Sequence, residues 1–589
     1  MINHPSNSSA SEQFKIPFMI GIVGHRDLVA SELPQIRAEL HVLLKRLRDD
    51  NPHVPLRLLC SMAAGADLLA ADVAAELGIG IIALLPYARN LCRADLESEA
   101  ERAEFDRLCN LSDVAELSLP AGVSIETITH AGVQRDRQLQ HAGSLIARYS
   151  GLMVAIWNGV STNHRAGTAR TVQFRHEGIM PTDELIVSPR DVLLSAQDDN
   201  LNYEIRCSRT SHPNPAGVVA LGFNTDETNA GGEYPKALRT TLARIADFNR
   251  DVEEFGSKIA AKGKRLSQPT TTPTPKTLQY LDRLFTAADW LGSYHRRCFT
   301  MALRARYLLW ALMAFLLITF KKNSEGEMAI FAIAGVLTVF LLGTLLAVWA
   351  HRRSWHRKYL DYRALAEALR VDFYWEIAGV RNEFDGDFAH ESFLQKQDVE
   401  LQWIRNAMRA VSLQLAIHPC GNFTEGFPYV YTHWVGEDSP TIGTGQMSYY
   451  RQRLHKLTHS IEVSERIDRV LQIGGLTLAL AFALDVVLRT QHFYLLPSAF
   501  RENMLWALAL VPVYAAIFEI YLNEKSDRAL VRQYHYMYSL FSFAANELNA
   551  AKKPERKLEI LSSLGHACLA EHAQWILAHR DKRIQGMRW

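Results

Sequence analysis

Apolar residues along this chain follow three rhythms, and each predicts a different kind of structure. In the first third they come as short runs, Phe18–Gly24, Leu56–Cys60 (interrupted by Arg57), Gly80–Pro86 and Gly151–Trp157, each followed or preceded by segments in which they recur every three or four positions, as Leu33, Ile36, Leu40, Leu43 and Leu44 do. A short apolar run bounded by turn residues reads as a strand buried on both faces, and the 3.6-residue recurrence reads as a helix with one covered face. Their alternation predicts right-handed βαβ crossovers in a parallel, Rossmann-like α/β sheet. Further helices are expected over 67–77, 93–108, 134–149 and 233–262, and a late strand over Asn202–Ile205. The Pro, Asn and Gly content of 208–229 predicts a long surface loop.

The third rhythm has no polar beat at all. Residues 328–350 carry no charge over about 23 positions, enough to cross a ~30 Å hydrocarbon core. Tyr307–Phe320 is shorter, roughly 21 Å as a helix, and spans only by recruiting residues back to about 300, with Arg304 and Arg306 snorkelling to the interface. A second pair of apolar runs covers 470–488 and 504–522, each with one acid, Asp485 and Glu519, that either lines a pore or meets a base, Arg489 or Lys525, at the interface. The two pairs start about 160–175 residues apart, each after a Tyr-bearing helix and before another, which reads as an internal duplication of helix, hairpin and helix. An all-α membrane region with four transmembrane helices is therefore expected after the α/β domain. Arg and Lys cluster at 296–306, 352–358 and 525–532, so those flanks and both termini are expected on the cytoplasmic side of an inner membrane.

The expected organisation is a disordered leader (1–13), a cytoplasmic α/β domain (14–265), a Pro/Thr linker (266–276), a first two-span unit (277–440) and a second (441–589). Met1–Gln13 is polar and lacks the apolar core of a secretory signal. Composition changes the picture in two places. With 64 Lys+Arg against 63 Asp+Glu, the net charge of +1 leaves no basic excess for a dedicated nucleic-acid binder. The seven cysteines are scattered without metal-knuckle spacing and read as reduced thiols, and neither His418-Pro-Cys420 nor the pair His25 and His53 has ligand spacing, so no metal site is assigned.

The candidate chemistry sits where strands break. Gly24, His25, Arg26 and Asp27 follow the first strand, and Ser61, Gly65, Ala66 and Asp67 follow the second. Glycine lets a backbone approach phosphate, while Arg26 or His25 reaches an anionic group; the plainer alternative is an ordinary βα turn, with Asp27 or Asp67 capping a helix. Asn158 and Gly159 end a later strand, where Trp157 reads as core, and Gly167 and Thr168 open the helix after it. Together these turns would form one sheet edge able to hold a nucleotide.

Five ordered motifs carry a family resemblance: Gly21-Ile-Val-Gly-His-Arg-Asp27, Ser61-Met-Ala-Ala-Gly-Ala-Asp67, Ala83-Leu-Leu-Pro86, Ile156-Trp-Asn-Gly159 and Ala166-Gly-Thr-Ala169. Over about 16–210 the chain resembles a SLOG domain, of the superfamily that includes the DprA-like and lonely-guy nucleotide-binding proteins. The membrane repeats are similar in layout to SLATT-type two-helix effector units. The resemblance implies a nucleotide-derived ligand, a lipid bilayer as partner, homo-oligomerisation, and pore formation or membrane disruption in antiphage or conflict defence. Lonely-guy hydrolases place a glutamate three residues after the Thr of the Gly-Thr turn. Here Thr171 stands there, so binding without catalysis is expected over the alternative, a membrane-anchored hydrolase cleaving an N-glycosidic bond.

Overall fold

The apolar runs do become strands. β1 (Phe18–Gly24), β2 (Leu56–Cys60), β3 (Gly80–Leu85) and β5 (Leu152–Trp157) are almost wholly buried and pair in parallel. They belong to a seven-stranded sheet ordered β4-β3-β2-β1-β5-β6-β7, in which β4 is Asp113–Glu116, β6 is Asn202–Arg206 and β7 is Val219–Phe223. Among the described residues only β7 runs antiparallel, against β6. The computed structural model describes residues 12–120, 122–161, 166–177, 201–211, 217–224, 234–267, 275–322, 327–380, 401–417, 421–437, 443–493, 497–525 and 527–580. Most of the expected leader, most of the Pro/Thr linker and His418-Pro-Cys420 lie outside the described residues.

Helices α1 (Leu33–Asp50), α2 (Ala66–Glu76), α3 (Arg89–Ala94), α4 (Glu99–Leu111), α5 (Ile125–Thr129), α6 (Val133–Tyr149), α7 (Thr168–Glu177) and α8 (Lys236–Lys262) connect and cover the sheet. Two expectations need correction. Residues 93–108 are not one helix, because Ser98 starts α4 with a reciprocal capping box: the Glu101 N–H donates to Ser98 Oγ at 3.1 Å and the Ser98 N–H to Glu101 Oε2 at 3.0 Å. The segment 208–229 is not loop throughout, since it contributes β7, an exposed edge strand.

Contacts divide the chain into two compact units that interleave in sequence: Met1–Trp290 with Arg363–Phe427 and Lys552–Ala573, and Leu291–Tyr362 with Pro428–Ala551 and Gln574–Trp589. In the first, a helix far along the chain, α12 (Gln402–Ile417; α9–α11 are given below), packs on β1, α6 and α8. Its Ala410, Leu413 and Ile417 join the core that holds Met19, Met153 and Ala155. The sheet layer is thus completed by residues some 240 positions beyond β5. Asn249 of α8 locks the chain before β1: its Oδ1 accepts the Ile16 N–H at 2.8 Å, and its Nδ2 donates to the carbonyls of Ile16 (3.0 Å) and His53 (2.8 Å). Asn249→Ala would leave buried backbone groups unpaired, so a loss of about 1–3 kcal/mol is expected, read as a lower thermal midpoint of the full chain.

The remaining described residues are mainly helical: α9 (Lys276–Lys322), α10 (Glu327–Arg353), α11 (Trp355–Ala378), α13 (Phe423–Val430), α14 (Gly445–Thr490), α15 (Ser498–Lys525), α16 (Asp527–Ala550) and α17 (Pro554–Arg580). Helices α9, α10 and α11 have 47, 27 and 24 residues; α14, α15 and α16 have 46, 28 and 24. The order and lengths of three helices therefore repeat. Four of the helical stretches are long and apolar enough to cross a membrane. Leu308, Phe331, Phe340, Val470, Ile473 and Leu480 stand exposed along them, an arrangement that water penalises and lipid does not.

Three charged side chains near the spans behave in particular ways. Asp485 is fully buried and ion-paired with Arg489 (3.0 Å), the base expected for it, and with Arg501 of α15 (3.6 Å). Arg306 does not snorkel: it is buried, hydrogen-bonded to Glu524 and set over the rings of Tyr307 and Trp310. Lys525 meets Asp527 at 2.6 Å, not Glu519.

Candidate functional site

In this strand order the chain steps outward from β1 through β2 and β3 to β4, then crosses back to lay β5 on the other side of β1. The carboxyl ends of β1 and β5 therefore flank the crevice where open α/β sheets bind ligands. Here the two ends hold each other. The His25 N–H donates to the Ile156 carbonyl at 3.0 Å. His25 Nε2 lies 3.0 Å from Asn158 Oδ1 and 3.1 Å from the Asn158 backbone nitrogen. With a proton on Nε2 the ring donates to Oδ1; without one it accepts the backbone N–H, so either tautomer keeps a bond. Both residues are committed to closing the crevice.

Burial lowers the His25 pKa below 6.5, outweighing the hydrogen bond to Asn158 that acts to raise it. The folded chain thus resists a proton that the unfolded chain accepts, so stability is unaffected above the unfolded value and is lost as pH falls through it towards the folded value. The thermal midpoint of the full chain is expected to decline as pH falls below about 6.5, and His25→Gln to flatten that decline.

Asp27 caps nothing, because α1 begins six residues later, at Leu33. Its carboxylate instead takes the Arg209 Nε–H at 2.9 Å and the Ser211 hydroxyl, while its carbonyl takes the Thr210 N–H at 3.0 Å. Burial works to raise its pKa, but the bonds to Ser211 and Arg209 outweigh it and hold the carboxyl below its usual range. Asp27 is a strap for the chain leaving β6.

The second turn is similarly self-contained. Asp67, 3% exposed, sits in the first turn of α2 and reaches back to accept the Ser61 N–H (3.0 Å), the Ser61 hydroxyl (2.6 Å) and the Ala63 N–H (3.4 Å). Burial raises its pKa against these hydrogen bonds. The glycines permit chain to approach chain. A Cβ on Gly24 would lie 2.2 Å from the Cβ of Ala66, and one on Gly65 would lie 2.4 Å from the Arg26 carbonyl oxygen. The Ala66 N–H donates to the His25 carbonyl at 3.1 Å, which uses one of the amides expected to face a phosphate. Buried Met62 has φ +56°, a left-handed conformation unusual for a residue with a side chain.

Arg26 is the exception among these groups. It is exposed, and its guanidinium makes no hydrogen bond or ion pair among the described residues. It lines a small cleft at the carboxyl ends of β1, β2 and β3, with Ser61, Met62, Pro86, Tyr87 and Asp95. The cleft's free volume is about 30 Å³, room for roughly two waters. On its far wall, the Tyr87 hydroxyl and Arg135 both donate to Asp95, and Arg135 Nη2 also donates to the Tyr87 oxygen at 3.0 Å. Pairing Asp95 with Arg135 cancels the only carboxylate lining the cleft, and Arg26 leaves it net positive. The Cys92 thiol, pushed up to about 12 mainly by burial, is no nucleophile. Sequence reading missed Met62, Tyr87, Asp95 and Arg135; Pro86-Tyr87 at the end of a strand was the available signal.

The later turns share this edge only in part. Asn158 reaches it through His25. Gly159 has φ +76°, and its missing side chain leaves room for Arg206, which lies over the Trp157 ring at 5.0 Å and pairs with Glu204. Gly167 (φ +123°) and Thr168 start α7, and Gly167 is open to its surroundings. Thr171 points away: it is 7% exposed, its hydroxyl donates to the Gly167 carbonyl at 3.2 Å, and it abuts Gly143 of α6. Among the described residues no group of three or more His, Cys, Asp or Glu could hold a metal ion. The geometry defines a Rossmann-like α/β unit with a positively charged strand-end cleft, followed by a helical region with four spans' worth of apolar helix. Comparison with protein families and with curated proteins finds no match for the chain.

Proposed function

We propose that this protein is a bacterial inner-membrane effector whose α/β unit binds a phosphate-bearing, nucleotide-derived ligand at the strand ends, and whose four spanning helices respond by permeabilising the bilayer. The observation that carries the reading is Arg26. Around it His25, Asp27, Ser61, Asp67 and Asn158 are spent on holding the turns together, while one arginine on the ligand-binding side of the sheet keeps all its donors free for an anion. Thr171, turned towards α6, supports binding over hydrolysis, since no carboxylate occupies the position used by lonely-guy enzymes. The resemblance to SLOG and SLATT fusions supports a role in antiphage or conflict defence.

A cleft with room for two waters must open to take a nucleotide, so ligand would select an open state. Moving such an equilibrium from 1:99 to 99:1 requires about 5.5 kcal/mol of differential affinity. Four helices seldom enclose a conducting path, and the exposed apolar faces suit both lipid and further copies of the chain, so the responding species is read as a homo-oligomer. Both termini are read as cytoplasmic from the basic flanks. The test is a thermal-shift screen of linear and cyclic nucleotides, dinucleotides and nucleoside phosphates against the full chain in nanodiscs. The full chain is required because removing α12 would strip the sheet of part of its core. One class should stabilise the wild type and fail to stabilise Arg26→Gln; stabilisation of both alike would overturn the assignment.

A further inference from the structure

A large open space in the helical unit lies at one end of its spans. A cavity of about 1000 Å³ is bounded by the stretch of α9 before its apolar run, the start of α11, the early part of α14, the end of α15, the start of α16 and the end of α17. That volume matches small-molecule pockets in proteins generally. Its charge is one-sided. Arg296, Arg297, Arg304 and Arg453 line it, and none has a carboxylate partner among the described residues. The two carboxylates on its wall are already used: Glu524 accepts from Arg306, and Asp527 pairs with Lys525 at 2.6 Å. Four guanidiniums lining one half-open space repel one another and concentrate anions there.

Part of the wall is aromatic. Tyr359 lies 6.2 Å from Trp575, which stacks on His579 at 4.5 Å, and Arg296 sits over the Tyr359 ring at 5.9 Å. Charge at the basic end of a span can serve orientation alone, as exposed Arg352 and Arg353 at the end of α10 can, outside the cavity. Orientation does not require four arginines to share one chamber with both carboxylates already neutralised. Met301 on the chamber wall and Leu308 two helical turns on are 68% and 71% exposed, so the chamber adjoins the apolar surface where acyl chains would lie.

We propose that this chamber is a second binding site, for a phosphate-bearing anion held by Arg296, Arg297, Arg304 and Arg453. The anion is either an anionic phospholipid headgroup entering from the apolar surface or a soluble polyphosphate. The site stands apart from the strand-end cleft and does not rest on the reading given to that cleft. Removing two exposed arginines should weaken binding roughly thirtyfold, each basic group near an anionic surface being worth about fivefold.

The test uses the full chain in nanodiscs of phosphatidylcholine, with phosphatidylglycerol added in one arm and inorganic pyrophosphate in another. The variants are Arg297→Gln with Arg304→Gln, and Arg352→Gln with Arg353→Gln as the basic pair outside the chamber. Equal thermal midpoints in plain phosphatidylcholine establish that each variant folds. A midpoint raised by phosphatidylglycerol in the wild type and the outside pair, and lost in the chamber pair, supports a lipid headgroup. The same pattern with pyrophosphate alone supports a soluble anion. No shift in either arm, or equal shifts in both variants, would overturn the site.

Discussion

Gly65→Ala is expected to be strongly destabilising, although it adds a single methyl group. Gly65 adopts φ +75°, ψ −114°, outside the left-handed well that other residues can visit. A Cβ there would lie 2.4 Å from the Arg26 carbonyl oxygen and 2.6 Å from that of His25. Those are backbone atoms pinned by the Ala66 N–H to His25 bond, so no side-chain rotation relieves the clash. Dihedral strain and overpacking together should cost about 2–5 kcal/mol, a large part of the 5–15 kcal/mol typical of a folded domain. Gly78→Ala is the comparator: φ is +68° and nothing lies within 4 Å of the new Cβ, so only about 1–2 kcal/mol of strain applies. Thermal midpoints of the two full-length variants separate the effects, and equal losses would contradict the close approach of the two turns.

The second large effect is on binding with stability spared. Arg26→Gln should leave the thermal midpoint of the unliganded chain unchanged, because the side chain is exposed and holds nothing in place among the described residues. It should weaken nucleotide-class binding by about 10- to 100-fold, the worth of a hydrogen bond to a charged group. Arg26→Lys should recover part of the loss, since it restores the charge without the two-pronged geometry. Replacements at Asp27 or Asp67 should behave in the opposite way, lowering stability first, because their carboxylates hold Arg209 and Ser61 in place.

What could be read from sequence follows how local each signal is. β1 and β5 were legible because a strand buried on both faces must be apolar throughout. β4, with the sequence Asp-Val-Ala-Glu, and β7, exposed and carrying Gly222, have no such requirement and left no pattern. The break before α4 was written in Ser98 and Glu101, three residues apart. The docking of α12 on the sheet was not legible, since a helix pattern names its covered face but not what covers it.

The site shows the same limit more sharply. Gly24 and Gly65 announce that something comes close, and a sequence does not distinguish a phosphate from the neighbouring turn; here the neighbour is the turn. Asp27 and Asp67 stand out in the sequence, and in the structure the carboxylate of each is bonded to neighbouring loops. Tyr87, Asp95 and Arg135 are spread over 48 residues and meet only because β3 ends where α6 begins. In the helical region the lengths 47, 27, 24 and 46, 28, 24 give the repeat a clarity that its diverged residues lack.

The most direct test of the central claim is dye release from liposomes containing the full-length protein, with each nucleotide-class compound that stabilises it added in turn. Ligand binding at Arg26 and permeabilisation by the helices predict release that requires the compound in the wild type and is lost in Arg26→Gln at the same ligand concentration. Release without any compound, or equal release from wild type and Arg26→Gln, would contradict the account.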